Sequence, residues 1–171
     1  RYSEGYGLSS TGIQFAHDNE ITLLIVLDCG IKAMEQVEEA KALEIDCIKC
    51  DHHLHGEELP KTVAILDPKQ EGCSYPFKEL CGCGIGFKLI QALALEQGHD
   101  ITSLMPYLDL VATAIAADIV PLTGENRILA HYGLEQLNTA PRPGLELLIQ
   151  NTKKKRLQLS DLVFIIAPRI N

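Results

Sequence analysis

Three short apolar runs, each stopping at an aspartate, set the limits on what this chain can fold into. Residues 21–27, 45–50 and 63–66 run into Asp28, Asp51 and Asp67 respectively. The first run, from Ile21 to Leu27, is continuous and rich in β-branched residues and leucine, the signature of a strand buried on both faces. After it, residues 31–43 place Ala33, Val37, Ala40 and Leu43 on one stripe, with Glu35, Glu38 and Glu39 elsewhere, which predicts a helix with one buried face. Strand, helix and strand in succession imply a parallel sheet with right-handed crossovers. A short helix over residues 9–17, capped by Ser9 or Ser10, precedes the first strand.

Past Tyr75, Pro76 and Phe77 the pattern becomes helical, with helices predicted over 87–96, 104–117, 127–137, 144–149 and 160–166. Pro106 suits the first turn of its helix, and Pro121 falls beyond the end. The fold class is therefore α/β: a Rossmann-like parallel sheet with flanking helices, followed by a mostly helical subdomain. The composition shift near residues 151–156 is the one break resembling a linker. It divides the chain into a domain over 1–150 and, over 151–171, the start of a linker toward a further domain.

With 171 residues, 46% of them apolar and 22% charged, the chain has the profile of one globular domain able to bury a core. No uninterrupted apolar run approaches the roughly 18 residues that a bilayer span needs, so a membrane role is not expected. The formal charge of −8 argues against nucleic-acid binding by bulk charge. It leaves open a site in which carboxylates hold divalent cations and the cations attract phosphate. Lys153, Lys154, Lys155 and Arg156 read as a solvated loop. Six cysteines without an export signal suit a reduced, cytoplasmic protein rather than a disulfide framework. Cys47 and Cys50 lie an odd number of residues apart on a strand, on opposite faces, which argues against zinc shared with Cys81 and Cys83. The sequence opens at Arg1 without a methionine and stops directly after an apolar stretch, so it reads as an excised piece.

In open parallel sheets, ligands bind beyond the carboxyl ends of the strands. Two successive strands deliver Asp28, and then Asp51, His52 and His53, to that edge. Carboxylate with imidazole suits manganese, iron or zinc, and manganese is the natural choice. Taken singly, Asp28 could cap the helix that follows, and paired histidines in a loop are often exposed. Together they outline a metal site. Asp118 is a further candidate, because an ionised aspartate after Ala114, Ile115, Ala116 and Ala117 is costly to bury unless paired or metal-bound. Asp109 lies nine residues earlier, which at about 100° per residue places it on the opposite helix face.

Asp51-His52-His53 after a strand, Leu27-Asp28-Cys29-Gly30 before it, and Ala117-Asp118-Ile119-Val120-Pro121-Leu122 downstream resemble the DHH phosphoesterase superfamily. Four strings, Glu4 to Leu8, Gly56 to Pro60, Pro121 to Arg127 and Pro168 to Asn171, resemble its RecJ exonuclease branch. The likeness spans the chain. It implies a metal-dependent hydrolase in which two Mn²⁺ or Mg²⁺ ions, about 3.5 to 4 Å apart, serve attack on a 5′-terminal phosphodiester of single-stranded DNA, in DNA repair and recombination. On that resemblance Asp28 bridges the metals, His52 and Asp118 ligate one of them, His53 meets the scissile phosphate or leaving oxygen, and Asp51 orients the histidines. Single-strand-binding protein or helicase partners belong to the same implication.

The branch's first motif, an Asp-x-Asp pair at a strand end, has no counterpart before Asp28, so the resemblance implies a site missing some ligands and a chain of little activity alone. Asn126, Arg127 and Arg169 are candidate phosphate contacts. Gly82, Gly84 and Gly86 before Phe87 place backbone N–H groups at a helix start, where they suit either an anion or close packing of the helix. Ser74 and the cysteines have no base placed beside them by sequence, so nucleophilic catalysis has no support. Two other readings remain: hydrolysis of oligoribonucleotides, cyclic dinucleotides or pyrophosphate, and a non-catalytic scaffold that binds nucleic acid or protein.

Overall fold

The structure, a computed structural model, describes residues 5–170. Glu4 of the first family-like string and Asn171 of the last lie outside the described residues. The chain divides into two compact units, Arg1–Lys78 and Glu79–Asn171.

In the first unit the order is α1 (Ser10–Asp18), β1 (Leu23–Leu27), α2 (Met34–Ala42), β2 (Asp46–Cys50) and β3 (Ala64–Leu66). Ser9 caps α1 by accepting a hydrogen bond from the Gly12 N–H at 3.1 Å. The strands form a parallel sheet in the order β1-β2-β3, with Leu24 opposite Cys47 and Ile48 opposite Ala64. Ile13 and Ala16 of α1, Ala40 of α2, Ile45 and Cys47 form a core, with Leu8, Leu24 and Leu43 packed against it. β1 departs from its expected burial. Val26 is buried, but Leu23, Ile25 and Leu27 are 44%, 49% and 48% exposed. Side chains alternate across a strand, and this apolar run has only one of its faces well covered.

The second unit carries α3 (Gly82–Glu96), a 3₁₀ segment (Ile101–Tyr107), α4 (Leu108–Asp118), α5 (Gly124–Thr139), α6 (Pro143–Gln150), α7 (Leu159–Asp161), a π turn (Leu162–Ile166) and α8 (Ala167–Ile170). α3 begins five residues ahead of the predicted start. Cys81 caps it, its Sγ accepting from the Gly84 N–H at 3.3 Å, so the glycines lie within the first turns and that N–H is already engaged. The helix predicted over 104–117 is split. Asp100 caps the 3₁₀ segment, Pro106 lies within it, and the α-helix starts at Leu108. Residues 101–118 have a mean hydropathy of 1.2, enough in length and composition to cross a bilayer. Much of α4 is nevertheless buried in this unit, including the charged Asp109, as in the core helix of a globular fold.

Ala112, Ala116, Leu137, Leu145, Leu157, Leu162 and Ile166 form the core of the second unit. Residues 157, 162 and 166 come from the segment read as the start of a linker, so the composition break at 151–156 marks a turn between helices. Gly133 sets the spacing of α5 on α4: a Cβ there would stand 2.1 Å from the Leu108 carbonyl oxygen and 2.6 Å from Ala112 Cβ. The π turn precedes Pro168, whose ring removes a backbone donor and crowds the carbonyl four residues back.

Candidate metal centre

The sheet's hydrogen bonding runs one residue past its strands. The Asp28 N–H donates to the Cys50 carbonyl at 2.8 Å and the Asp51 N–H to the Leu66 carbonyl at 3.1 Å. This fixes the two aspartates at adjacent strand ends on the carboxyl edge. Asp28 takes the left-handed conformation, φ 60°, and turns the chain sharply; Gly30, at φ 84°, completes the turn.

Asp28, His52 and His53 each offer a ligand atom, and the three atoms lie within 4.8 Å of one another. His52 Nε2 is 3.1 Å from Asp28 Oδ1. Oδ1 is buried yet takes no aligned hydrogen bond, so the two atoms face each other by proximity alone. Crowding of a carboxylate oxygen and imidazole nitrogens at one point is what a shared cation relieves, and the donor set fits manganese, iron or zinc. The His52 side chain is 10% exposed and that of His53 57%, so one imidazole is sunk in the fold and the other faces outward. Their rings meet edge to face, with centroids 4.4 Å apart. A cleft of about 400 Å³ opens alongside, lined by Asp28, Cys29, Lys32, Gln36, Asp51 and His53.

Asp51 is fully buried and does not belong to the ligand cluster. Oδ1 accepts from the His52 N–H at 2.8 Å, the His53 N–H at 3.2 Å and His53 Nδ1 at 2.7 Å, while Oδ2 accepts from the Ile31 N–H at 3.0 Å. Burial by itself raises the carboxyl, but the His53 ring and these three N–H groups outweigh it and hold Asp51 below its ordinary value. An ionised Asp51 favours the His53 tautomer with its proton on Nδ1, which leaves Nε2 as the nitrogen able to ligate a metal.

Sequence reasoning missed Lys49. This lysine on β2 has no exposed surface, and its ammonium donates to the carbonyls of Gly30 and Ala33. Burial lowers its pKa, while Cys47, Asp51 and Cys29 act in the opposite direction. A lysine within a strand reads as solvent-facing, and the one available signal was its apolar surroundings in Ile45-Asp46-Cys47-Ile48-Lys49-Cys50. Burial, then Asp51 and Asp28, raise the Cys29 thiol, which suits no nucleophile; burial pushes Cys50 up to about 11. Asp67, at the third strand end, is 2% exposed, and burial raises its carboxyl. Its Oδ1 accepts from the Lys69 N–H, and its buried Oδ2 takes no hydrogen bond.

The remaining candidates lie in the second unit. Asp118 ends α4 and is exposed, so the argument from the cost of burying it does not hold; its candidacy rests on the resemblance. Ile119 after it adopts φ 56°, a strained conformation for a β-branched residue. Asp109 is fully buried, gripped by Arg142 through Nη2 at 2.6 Å and Nε at 2.8 Å. Asn126 is fully buried too, its amide donating to the carbonyls of Glu79 and Pro121, so it braces the start of α5 and is not available to phosphate. Arg127 is exposed. Arg169 is exposed and donates to the Ile165 carbonyl.

A carboxylate and two imidazoles at the carboxyl edge of a parallel sheet define a candidate divalent-metal centre of the α/β class. The chain belongs to the DHH family, whose N-terminal domain matches residues 5–115. It is 41% identical over its whole length to the single-stranded-DNA-specific exonuclease RecJ of Bacillus subtilis and 38% identical to that of Escherichia coli, covering 21% and 32% of those proteins. The chain thus spans less than a third of the length of these relatives. Among solved structures it resembles exonuclease RecJ bound to manganese, with TM-score 0.87 and 31% identity over all of this chain and 43% of that one. It also resembles Thermus thermophilus RecJ in complex with Mn²⁺, with TM-score 0.77 and 27% identity over 91% of this chain and 24% of that one.

Proposed function

We propose that this chain is part of the catalytic core of a metal-dependent single-stranded DNA exonuclease that hydrolyses phosphodiesters from the 5′ end and serves DNA repair and recombination. The observation that carries the reading is the convergence of Asp28, His52 and His53 within 4.8 Å at the sheet edge, in a fold shared with manganese-bound RecJ. Asp28 and His52 would hold Mn²⁺ or Mg²⁺, and the family resemblance adds Asp118 to the ligands. Bound there, the ions would supply positive charge to the attacking and leaving oxygens of an in-line displacement. The chain's own residues orient the reaction. Asp51 fixes the tautomer of His53, whose outward ring meets the scissile phosphate or the leaving oxygen. Arg127 and Arg169 supply exposed guanidinium groups that match backbone phosphates. With a formal charge of −8, affinity for DNA rests on the bound cations and on such local contacts rather than on a basic surface.

The test is a time course of the full-length protein with Mn²⁺ on 5′-phosphorylated single-stranded DNA, beside its His52→Ala variant. Stepwise shortening from the 5′ end is expected, with the variant slower by more than about 100-fold, the upper end of what loss of an outer-shell partner costs a metal enzyme. An unimpaired variant, or cleavage confined to short ribonucleotides, would sink the reading.

A further inference from the structure

We propose that Lys49 is a positioning residue for the metal centre: an internal cation that fastens the turn after β1 to β2 and so presets the placement of the Asp28 carboxylate against His52 and His53. The inference rests on the metal reading above and concerns a residue that is itself no ligand.

The turn from Asp28 to Ala33 contains two left-handed residues within three positions, Asp28 and Gly30. Such a backbone persists only when its surroundings over-determine it. The fasteners come from three consecutive residues of one strand end. The Cys50 carbonyl accepts from the Asp28 N–H, Asp51 Oδ2 accepts from the Ile31 N–H, and the Lys49 ammonium donates to the carbonyls of Gly30 and Ala33. The Gly30 carbonyl also accepts from the Ala33 N–H at 2.9 Å, so Lys49 closes the loop of the turn upon itself. Gly30 is matched to this arrangement: a Cβ there would lie 3.3 Å from Lys49 Nζ and 3.5 Å from Val26 Cγ1.

Lys49 is the largest fully buried side chain among the described residues. Burying an ammonium on two carbonyls is a poor way to gain stability, since an unbranched apolar side chain of similar volume would fill the space without the desolvation cost. What the apolar chain could not do is hold two inward-facing carbonyls together with a cationic group near Asp51. Of the three fasteners, the Cys50 carbonyl is backbone and Asp51 also serves the histidines, so Lys49 is the one whose removal isolates the effect of the turn.

The experiment compares Lys49→Met and Lys49→Gln with wild type and His52→Ala in the full-length protein. Mn²⁺ affinity is read by titration calorimetry, thermal unfolding is followed without metal, and activity is measured across Mn²⁺ concentrations. Both lysine variants are expected to unfold cooperatively near the wild-type temperature. Mn²⁺ binding should weaken about ten-fold or more in Lys49→Met, in the range set by other outer-shell partners, and less in Lys49→Gln, which keeps a donor. The Mn²⁺ needed for half-maximal rate should rise in parallel, with the rate at saturating Mn²⁺ recovering to within a few-fold. A folded Lys49→Met that binds Mn²⁺ like wild type overturns the proposal, and failure of both variants to fold makes Lys49 a structural pillar and overturns it equally. Wild-type Mn²⁺ binding by His52→Ala would instead discard the metal reading itself.

Discussion

Asp51 grips His53 twice with one oxygen, at the backbone nitrogen and at ring Nδ1, so the residue just past β2 sets both the path and the ring orientation of the exposed histidine. Asp51→Asn preserves shape but puts an amide where a charge held four N–H donors. Metal affinity is expected to fall about 10- to 100-fold. The pH dependence follows from the depressed carboxyl: its stabilisation is complete above the unfolded value near 3.9 and is lost as pH falls through the lower folded value. Thermal unfolding at descending pH should show an acid slope in the wild type that is shallower in Asp51→Asn.

Asp67 carries the opposite sign. Burial raises its carboxyl, so the folded state takes up a proton that the unfolded chain has already released, and stability falls as pH rises from about 3.9 through the folded value. Asp67→Asn removes that slope. Between pH 4 and pH 8 the difference in Tm should move in favour of the variant; a difference that stays constant would show that Asp67 titrates normally.

Gly133 tolerates no side chain. Even alanine would place Cβ inside van der Waals contact of the Leu108 carbonyl oxygen, and two helices would have to separate. Gly133→Ala should cost about 3 kcal/mol or more despite the better helix propensity of alanine. Chemical denaturation of the two proteins measures it directly.

Arg142→Leu strands a buried carboxylate. Without the guanidinium, Asp109 keeps the Leu110 N–H at 2.7 Å but loses its ionic partner, at an expected cost of about 3 to 5 kcal/mol. For a chain of this size that is a fall in Tm on the order of 10 °C. The double variant Arg142→Leu/Asp109→Leu should recover much of the loss.

The strands and the cluster at their ends were legible because both depend on short-range pattern: runs of β-branched residues that end in an aspartate fix a parallel sheet and one edge. Helix starts were less so. α3 was expected from Phe87, with Gly82, Gly84 and Gly86 ahead of its start, yet Cys81 supplies an unusual cap and the glycines lie within the first turns. The exposure of Leu23, Ile25 and Leu27 was hidden for a different reason: an apolar run states what a residue prefers, not which layer covers it. Asn126 and Lys49 mark the same boundary from two sides, one polar residue expected to meet phosphate and one that no sequence pattern singled out, both fully buried. Their places depend on carbonyls brought close by tertiary structure, which no spacing rule records.

The left-handed backbone at Asp28 narrows the alphabet at that position in two independent ways. Conformation admits glycine, asparagine and aspartate at low cost, and the metal reading proposed above calls for a carboxylate there; aspartate is the residue common to both sets. Asp28→Asn should fold with nearly wild-type Tm and bind no Mn²⁺, whereas Asp28→Glu keeps the charge and pays for it in folding stability. A saturation library at this codon, selected separately for expression and for Mn²⁺ binding, would therefore return two different lists with a single shared letter.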